Sequence, residues 1–195
     1  MRRAIISLLF VLGISFNVLN AFAGTINGKV SVSRLKTPKD ILIYIEKIEG
    51  KEFAPPKEAV KVDQAKLVFT PRVSPVIKGS AVEFYNSDNV KHNVFGVGAD
   101  DFDLGTWTKG IVKSHTFNKL GEVAILCNVH PEMEAYVIVL QNPYFVLTNE
   151  DGKYEIKDIP AGNYKLKTWR DTFKPVTKDV AVPITGELTV DFELK

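Results

Sequence analysis

Cysteine is the scarcest reactive residue of this sequence. Cys127 is the only one among 195 residues, beside three histidines and two methionines. A single cysteine cannot form an internal disulfide bond, so a fold stabilised by internal disulfide bonds is excluded. The thiol is therefore free, joined to another chain or bound to a metal.

Neither sign of charge is in excess. The 25 Lys and Arg residues nearly balance the 23 Asp and Glu residues, which gives a formal net charge of +2. No basic stripe is visible, so nucleic acid is not expected as a partner. A Gly-rich phosphate loop and a Ser-His-Asp arrangement are also missing. The acidic run over residues 100–103 lacks the spaced oxygen ligands of a calcium loop, and we expect a solvated loop there.

A long apolar run occurs at the amino terminus. Two arginines precede an apolar stretch over residues 4–16, and Ala-Phe-Ala at 21–23 is a small-x-small cleavage site. This order is typical of a secretory signal peptide over residues 1–23. The run is shorter than the roughly 20 residues that span a bilayer. We therefore expect a periplasmic or secreted chain that starts at Gly24 and has no stable membrane anchor.

Long helical periodicity is missing, and apolar residues alternate instead with period two over many short stretches. Such alternation, with turn residues between the stretches, is typical of all-β sandwiches or barrels. We therefore predict an all-β chain. The predicted strands cover residues 26–32, 41–45, 60–62, 82–85, 112–117, 123–126, 136–140, 154–156, 164–169, 180–182 and 188–192.

Residues 142–195 have their own pattern of turns and strands. Residues 144–156 indicate a strand, a hairpin turn at Asp151-Gly152 and a second strand. Residues 159–166, Ile-Pro-Ala-Gly-Asn-Tyr-Lys-Leu, add another turn and strand. A D-G-x-[FY] turn followed by P-x-G-x-Y-x-L resembles the carboxypeptidase regulatory-like, or transthyretin-like, β-sandwich. This resemblance implies a small β-sandwich fold, and its motif is structural and contains no catalytic or binding residues.

That family opens with a G-x-V strand and a second strand. Their counterparts here lie at residues 28–30 and 41–45, ahead of the rest of the pattern. We therefore predict that residues 24–50 and 142–195 form one sandwich, with a domain over residues 51–141 inserted between its second and third strands. Insertion is tolerated where the two ends of a loop lie close in space. The alternative is two domains in tandem.

The inserted segment holds four residues with metal-ligand chemistry, namely His92, Cys127, His130 and Met133. Residues 123–126 form a strand that delivers Cys127 at its end, and a two-residue gap brings His130 back over the same point. Pro131 stiffens this loop because its ring fixes φ. Two imidazoles, a thiolate and a weak axial thioether are the ligand set of a mononuclear blue-copper site. Zinc is the competing metal, although methionine is a poor zinc ligand.

Two motifs of this segment resemble the cupredoxins, in particular the plastocyanin and pseudoazurin group. They are N-x-D-x-x-x-H-N over residues 86–93 and C-x2-H at Cys127 and His130. The resemblance implies a Greek-key β-sandwich that binds one copper ion cycling between Cu(II) and Cu(I). It also implies that His92, Cys127 and His130 are the equatorial ligands. The Asn93 side chain would then tie the His92 loop to the Cys127 loop.

One spacing departs from that family. Plastocyanin-like sites usually have four residues between the second histidine and the methionine, whereas here Pro131 and Glu132 alone separate His130 from Met133. A His-x2-Met spacing does occur in the binuclear copper site of cytochrome oxidase, but that site needs two cysteines. We therefore predict a mononuclear site whose axial ligand is Met133 or, alternatively, an oxygen of Glu132.

The resemblance implies an electron carrier rather than an enzyme. Single electrons would pass through the ring edge of His130 to a transient redox partner such as a cytochrome or a periplasmic oxidoreductase. Candidates for the apolar contact surface are Val94, Phe95, Pro131 and Tyr136. Two other functions stay open: a copper chaperone, store or sensor, and an open-site copper enzyme if Met133 is not a ligand.

The remaining candidate residues are assigned to the fold. His115 lies outside both ligand loops and alternates with Lys113 along a predicted strand, so we expect it to face solvent. Trp107 and Trp169 are expected in the cores, one in each half of the fold.

Overall fold

The computed structural model describes residues 23–33 and 36–195. Within these two ranges the chain forms seventeen β-strands and contains no helix. For the same ranges, no helical segment has the length and apolarity needed to cross a membrane. The predicted signal peptide lies outside the described residues, apart from Ala23. The prediction of an all-β fold is confirmed.

The strands fall into three groups along the chain. The first group is β1 (Ala23–Val32) and β2 (Leu42–Ile45). The central group is β3 (Val60–Ala65), β4 (Val68–Thr70), β5 (Val73–Ile77), β6 (Ala81–Asn86), β7 (His92–Gly98), β8 (Phe102–Trp107), β9 (Lys113–Thr116), β10 (Gly121–Leu126) and β11 (Glu134–Leu140). The last group is β12 (Phe145–Leu147), β13 (Lys153–Pro160), β14 (Gly162–Trp169), β15 (Thr177–Val182), β16 (Glu187–Thr189) and β17 (Phe192–Leu194).

The central group forms a sandwich of two sheets. One sheet has the strand order β4-β3-β6-β9, and the other has the order β5-β11-β10-β7-β8. The pairings of β3 with β6 and of β5 with β11 are parallel, so the chain crosses between sheets instead of forming hairpins alone. Alternate residues on the inner faces bury one core, which includes Val62, Phe84, Ile125, Val137 and Trp107. Trp107 therefore lies where the sequence predicts it.

The first and last groups share a second sandwich. One of its sheets has the order β13-β1-β16, with β17 also paired to β1, and the other has the order β12-β2-β14-β15. Its core contains Ile26, Ile43, Ile156 and Leu166. β1 and β2 thus pair with strands that follow the whole central group. Strands from before and after the central group therefore lie in the same two sheets.

A third core joins the two sandwiches. It lies between the sheet that contains β11 and the sheet that contains β2 and β14. Its buried members are Leu42, Val73, Tyr136, Ile138, Leu140 and Trp169. Because Val137 and Val139 belong to the central core, β11 is buried on both of its faces. We call this third core the junction.

Trp169 belongs to the junction and not to the core of the second sandwich, where the sequence places it. Its ring centroid is 5.2 Å from that of Tyr136. Its Nε1 donates to Oε2 of Glu122, in β10, at 2.8 Å. A buried indole N–H needs such a partner, and here the partner comes from the central sandwich.

The predicted hairpin over residues 144–156 is wrong. Asp151-Gly152 does form a turn, in which Gly152 has a φ of 78° and donates its N–H to the carbonyl of Asn149 at 2.9 Å. However, β12 before the turn pairs with β2, whereas β13 after it pairs with β1. The turn therefore carries the chain from one sheet of the sandwich to the other.

The junction makes a testable contribution to stability. Ile138→Ala should lower the free energy of unfolding by about 2–5 kcal/mol, because it removes buried apolar atoms and leaves a cavity beside β11. Chemical denaturation followed by tryptophan fluorescence measures the change. Val97→Ala, at a residue 48% exposed, is the control and should change it by less than about 0.5 kcal/mol. Equal effects of both substitutions would contradict a buried junction.

Candidate metal centre

The three predicted equatorial ligands meet at one end of the central sandwich. His92 is the first residue of β7, and Cys127 directly follows β10. β7 and β10 are antiparallel neighbours with Leu126 opposite Phe95, so the start of one lies beside the end of the other. The loop between β10 and β11 carries His130. One ligand atom each of His92, Cys127 and His130 lies within 4.8 Å of the other two.

The two imidazole rings face each other through the same ring nitrogen. Nδ1 of His92 lies 3.0 Å from Nδ1 of His130, and the ring centroids are 4.8 Å apart. On its other side, Nε2 of His92 lies 3.0 Å from Oδ2 of Asp88. A carboxylate accepts the proton of that nitrogen, which leaves the lone pair of the neutral ring on Nδ1. Asp88 therefore favours the tautomer in which His92 can bind a metal.

Asp88 is itself held by the turn between β3 and β4. Its carboxylate oxygens accept the backbone N–H groups of Lys66 at 2.7 Å and Leu67 at 3.0 Å. Burial raises the pKa of Asp88, but the N–H groups of Leu67 and Lys66 and the His92 ring outweigh it and hold the pKa below its usual value. Asp88 is therefore ionised at neutral pH. Sequence reasoning missed this support because Lys66 precedes Asp88 by 22 positions.

Asn93 joins the loops of His92 and Cys127, as the sequence predicts. Its Oδ1 accepts the N–H of Asn128 at 3.4 Å, and its own backbone N–H points at Sγ of Cys127, also at 3.4 Å. Its Nδ2 donates to Oδ1 of Asp103 at 2.8 Å. The contacts of Asn93 with Cys127 and Asn128 therefore connect the two loops that carry His92 and Cys127.

The two axial candidates differ in burial. Met133 has no solvent exposure and belongs to the same core as Cys127. Its backbone N–H donates to the carbonyl oxygen of His130 at 3.0 Å, which closes a turn over residues 130–133. Glu132 is exposed in that turn. Met133 is thus enclosed in one core with Cys127, whereas the Glu132 carboxylate lies at the surface.

His115 lies outside the cluster, as predicted, but it does not face solvent freely. Its side chain is 23% exposed and stacks on the Phe102 ring, with the centroids 3.9 Å apart. Its Nε2 lies 3.2 Å from Oδ2 of Asp100, and the other oxygen of that carboxylate, Oδ1, lies 3.3 Å from Nζ of Lys119. The expectation of a solvated loop over residues 100–103 is met in part. Asp101 and Asp103 are exposed, whereas Asp100 is buried and β8 begins at Phe102.

Two of the four candidates for the contact surface are also wrong. Val94 has no exposure because it points into the central core, and Tyr136 is covered in the junction. Val129 and Pro131, which flank His130 in sequence by one position each, are exposed. Other exposed apolar residues are Leu67 in the turn that contacts Asp88, Val68 at the start of β4, and Val90 between β6 and β7.

The donors of this cluster fit a metal ion. Lone pairs on two Nδ1 atoms 3.0 Å apart repel each other unless a proton or a cation is shared between them. The sulfur of Cys127 supplies a soft third donor. Two imidazoles and one thiolate suit either copper or zinc. Met133, buried in the same core as Cys127, would favour copper if its thioether joined them, because methionine is a poor zinc ligand.

Comparison with known families matches the carboxy-terminal part of the chain. Residues 131–195 match the carboxypeptidase regulatory-like domain. We name the two sandwiches after the families that their sequence motifs resemble. The central sandwich is called the cupredoxin-like unit, and the sandwich of the first and last groups is called the regulatory-like unit. The matched residues include β11, which pairs within the cupredoxin-like unit, and leave out β1 and β2.

Solved structures similar to this chain include copper proteins. A reduced Cu(I) form of an amicyanin variant is 27% identical, covering 44% of this chain and 91% of its own, with a TM-score of 0.40. A purple cupredoxin from Nitrosopumilus maritimus is 19% identical; the match covers 41% of this chain and 98% of that protein, with a TM-score of 0.38. A copper-containing nitrite reductase from Thermus scotoductus is 22% identical; the match covers 58% of this chain and 28% of that protein, with a TM-score of 0.42. No protein of curated function matches the chain in sequence.

The contact between Asp88 and His92 generates a prediction. Asp88→Asn should weaken Cu(I) binding by about 10-fold or more, because the amide carries no charge and has one acceptor oxygen in place of two. Competition with a chromophoric Cu(I) chelator measures the affinity. Asp101→Asn is the control, since Asp101 accepts the N–H of Gly98 at 2.8 Å and has no contact with the cluster. Equal losses in the two variants would show a general charge effect instead.

Proposed function

We propose that this chain is a periplasmic protein that binds one copper ion and transfers single electrons. The convergence of Nδ1 of His92, Nδ1 of His130 and a donor atom of Cys127 carries the proposal. Copper bound to such a ligand set supplies one-electron chemistry between Cu(II) and Cu(I). The features of a signal peptide over residues 1–23 support the periplasmic location.

The residues around the ligands suit them to electron transfer because they hold a fixed arrangement. Asp88 fixes the ring of His92, and Asn93 connects that loop to the residue after Cys127. The ladder between β7 and β10 fixes the two strand ends from which the loops start. Ligands that are held in this way change position little when the charge at the site changes, which keeps electron transfer fast.

The surface around His130 supports transfer to another protein. His130 is partly exposed, in contrast to the fully buried His92, so its ring offers the shorter path to solvent. Val129, 45% exposed, and Pro131 flank it. A small apolar contact of this kind suits a transient complex, as weak redox encounters bury little area. We propose a redox protein such as a cytochrome or a periplasmic oxidoreductase as the partner.

Replacement of the sulfur ligand tests the copper site. The copper-loaded chain should show an intense thiolate-to-copper absorption band in the visible region, and Cys127→Ser should abolish it because the oxygen ligand lacks that transition. The variant should stay folded, since the two side chains are similar in size. Visible absorption gives the first result, and far-ultraviolet circular dichroism of the same sample gives the second.

The same spectrum separates the alternative functions. A colourless protein that binds Cu(I) alone would overturn electron transfer and support a copper chaperone or store. A spectrum that changes when small exogenous ligands are added would support an open-site enzyme.

Replacement of the buried thioether tests the axial position. Met133→Leu should keep the visible band and raise the reduction potential, because an apolar side chain of similar volume removes the weak donor that stabilises Cu(II). Spectroelectrochemistry measures the potential. Glu132→Gln is the matched control and should leave the potential unchanged, since Glu132 is exposed. Complete loss of copper binding in the Met133→Leu variant would contradict a weak axial role.

A further inference from the structure

An ion-pair cluster joins the ligand loop to the regulatory-like unit. Glu134 opens β11 directly after Met133. Its Oε2 accepts a hydrogen bond from Nη2 of Arg72 at 2.8 Å, and the same Nη2 donates to Oδ2 of Asp171 at 2.8 Å. Asp171 follows β14 of the regulatory-like unit by two positions. We call the contact of Arg72 with Glu134 and Asp171 the Arg72 bridge.

Arg72 also contacts β11 through its backbone. Its carbonyl oxygen accepts the N–H of Tyr136 at 2.8 Å, and its guanidinium lies over the Tyr136 ring at 5.2 Å from the centroid. Arg72 directly precedes β5, the strand that runs parallel to β11. Its contacts with Glu134 and Tyr136 therefore restrain the point at which β11 leaves the ligand loop.

Asp171 is the most buried charge of the bridge. Its side chain is 10% exposed, against 38% for Arg72 and 40% for Glu134. Its Oδ1 lies 3.1 Å from Nε of Arg170, whose Nη1 donates to the carbonyl oxygens of Lys39 and Asp40. Burial raises the pKa of Asp171, but the hydrogen bond and charge of Arg72 and the charge of Arg170 hold the pKa below its usual value. Asp171 is thus an ionised group fixed to the regulatory-like unit.

A second polar contact between the two units lies further from the ligands and serves as a comparison. It is the hydrogen bond from Nε1 of Trp169 to Glu122. Glu122 pairs with Ile138, whereas Glu134 pairs with Leu126, the residue before Cys127. Of these two contacts, the Arg72 bridge is the one that reaches the ligand loop.

We propose that the regulatory-like unit positions the copper ligand loop through Asp171. The inference rests on the proposed copper function. Asp171 touches no ligand and acts through Arg72 and Glu134, so it is a positioning residue. Without its carboxylate, Arg72 loses one of its two ionic partners and the start of β11 loses this link to the regulatory-like unit. Met133, one position earlier, and the turn that carries His130 are then less restrained.

Asp171→Asn in the full chain tests this proposal with two measurements. Hydrogen exchange of the backbone amides over residues 128–134 in the metal-free protein should become faster, while the amides of β3 and β6 keep their rates. Cu(I) affinity, from competition with a chromophoric chelator, should fall by about 10-fold, the lower end of the range for residues that support metal ligands.

Glu122→Gln is the matched control, because it replaces a carboxylate by an amide at the other contact between the units. It should leave both the exchange of residues 128–134 and the Cu(I) affinity unchanged. If it changes them as much as Asp171→Asn does, the bridge is a general part of the junction and the positioning role is overturned.

Glu134→Gln removes the charge at the other end of the bridge. Glu134 is 40% exposed, so this variant stays informative even if Asp171→Asn fails to fold. It should also speed exchange over residues 128–134 and weaken Cu(I) binding. Arg72→Lys should give an intermediate result, because an ammonium group keeps the charge but lacks the planar guanidinium that contacts both carboxylates. Wild-type exchange and affinity in Glu134→Gln would overturn the proposal.

Failure of this inference and failure of the copper function give different results. If the wild-type chain takes up no copper, the proposed function fails, and exchange in the metal-free variants still decides whether Asp171 restrains the loop. If wild type and Asp171→Asn bind copper equally and exchange at equal rates, the copper site stands and the positioning role fails.

Discussion

The close approach of two imidazole nitrogens is the constraint on which the rest of this structure depends. Nδ1 of His92 and Nδ1 of His130 lie 3.0 Å apart, and at that distance two lone pairs repel unless a cation or proton is shared. The chain holds this arrangement by other contacts. The Asp88 carboxylate contacts Nε2 of His92, the nitrogen that points away from His130. The pairing of β7 with β10 brings the two ligand loops together. A shared proton or a bound cation would each satisfy this pair of nitrogens, and these contacts hold the rings in place for either.

β11 connects this site to the remainder of the chain. It starts one residue after Met133, and its two faces belong to different cores. A strand covered on both sides cannot slip by one residue without moving apolar side chains out of both cores. Its register with β10, in which Leu126 lies opposite Glu134, is therefore strongly fixed. That register sets the length of the loop that returns His130 to Cys127.

The sequence predicts the site better than it predicts the surroundings of the site. Cys127 and His130 lie in one short loop, so their spacing alone predicts that they meet. His92 comes from a distant part of the chain, and the resemblance to cupredoxins places it with them. The error at Tyr136 has a different origin, since period-two alternation shows which residues share a face but not what covers that face. The hairpin over residues 144–156 fails because the choice of sheet depends on strands far away in the chain. For the same reason no local pattern links Arg72 to Asp171, which is 99 positions further on.

Two segments of the chain connect the two units, and they explain why a change in one unit should affect the structure of the other. The chain enters the cupredoxin-like unit after β2 and leaves it before β12. The Gln141 side chain joins these two connecting segments by hydrogen bonds. Its Oε1 accepts the N–H of Ile48 at 3.1 Å, and its Nε2 donates to the carbonyl of Lys51 at 2.6 Å. Asn142 donates to the carbonyl of Ile45 at 2.8 Å. Two joined connections and an apolar junction leave little freedom for one unit to rotate against the other. With the proposed positioning role, a change at Asp171 would therefore act on the start of β11 through Arg72 and Glu134, because motion between the units could not absorb it.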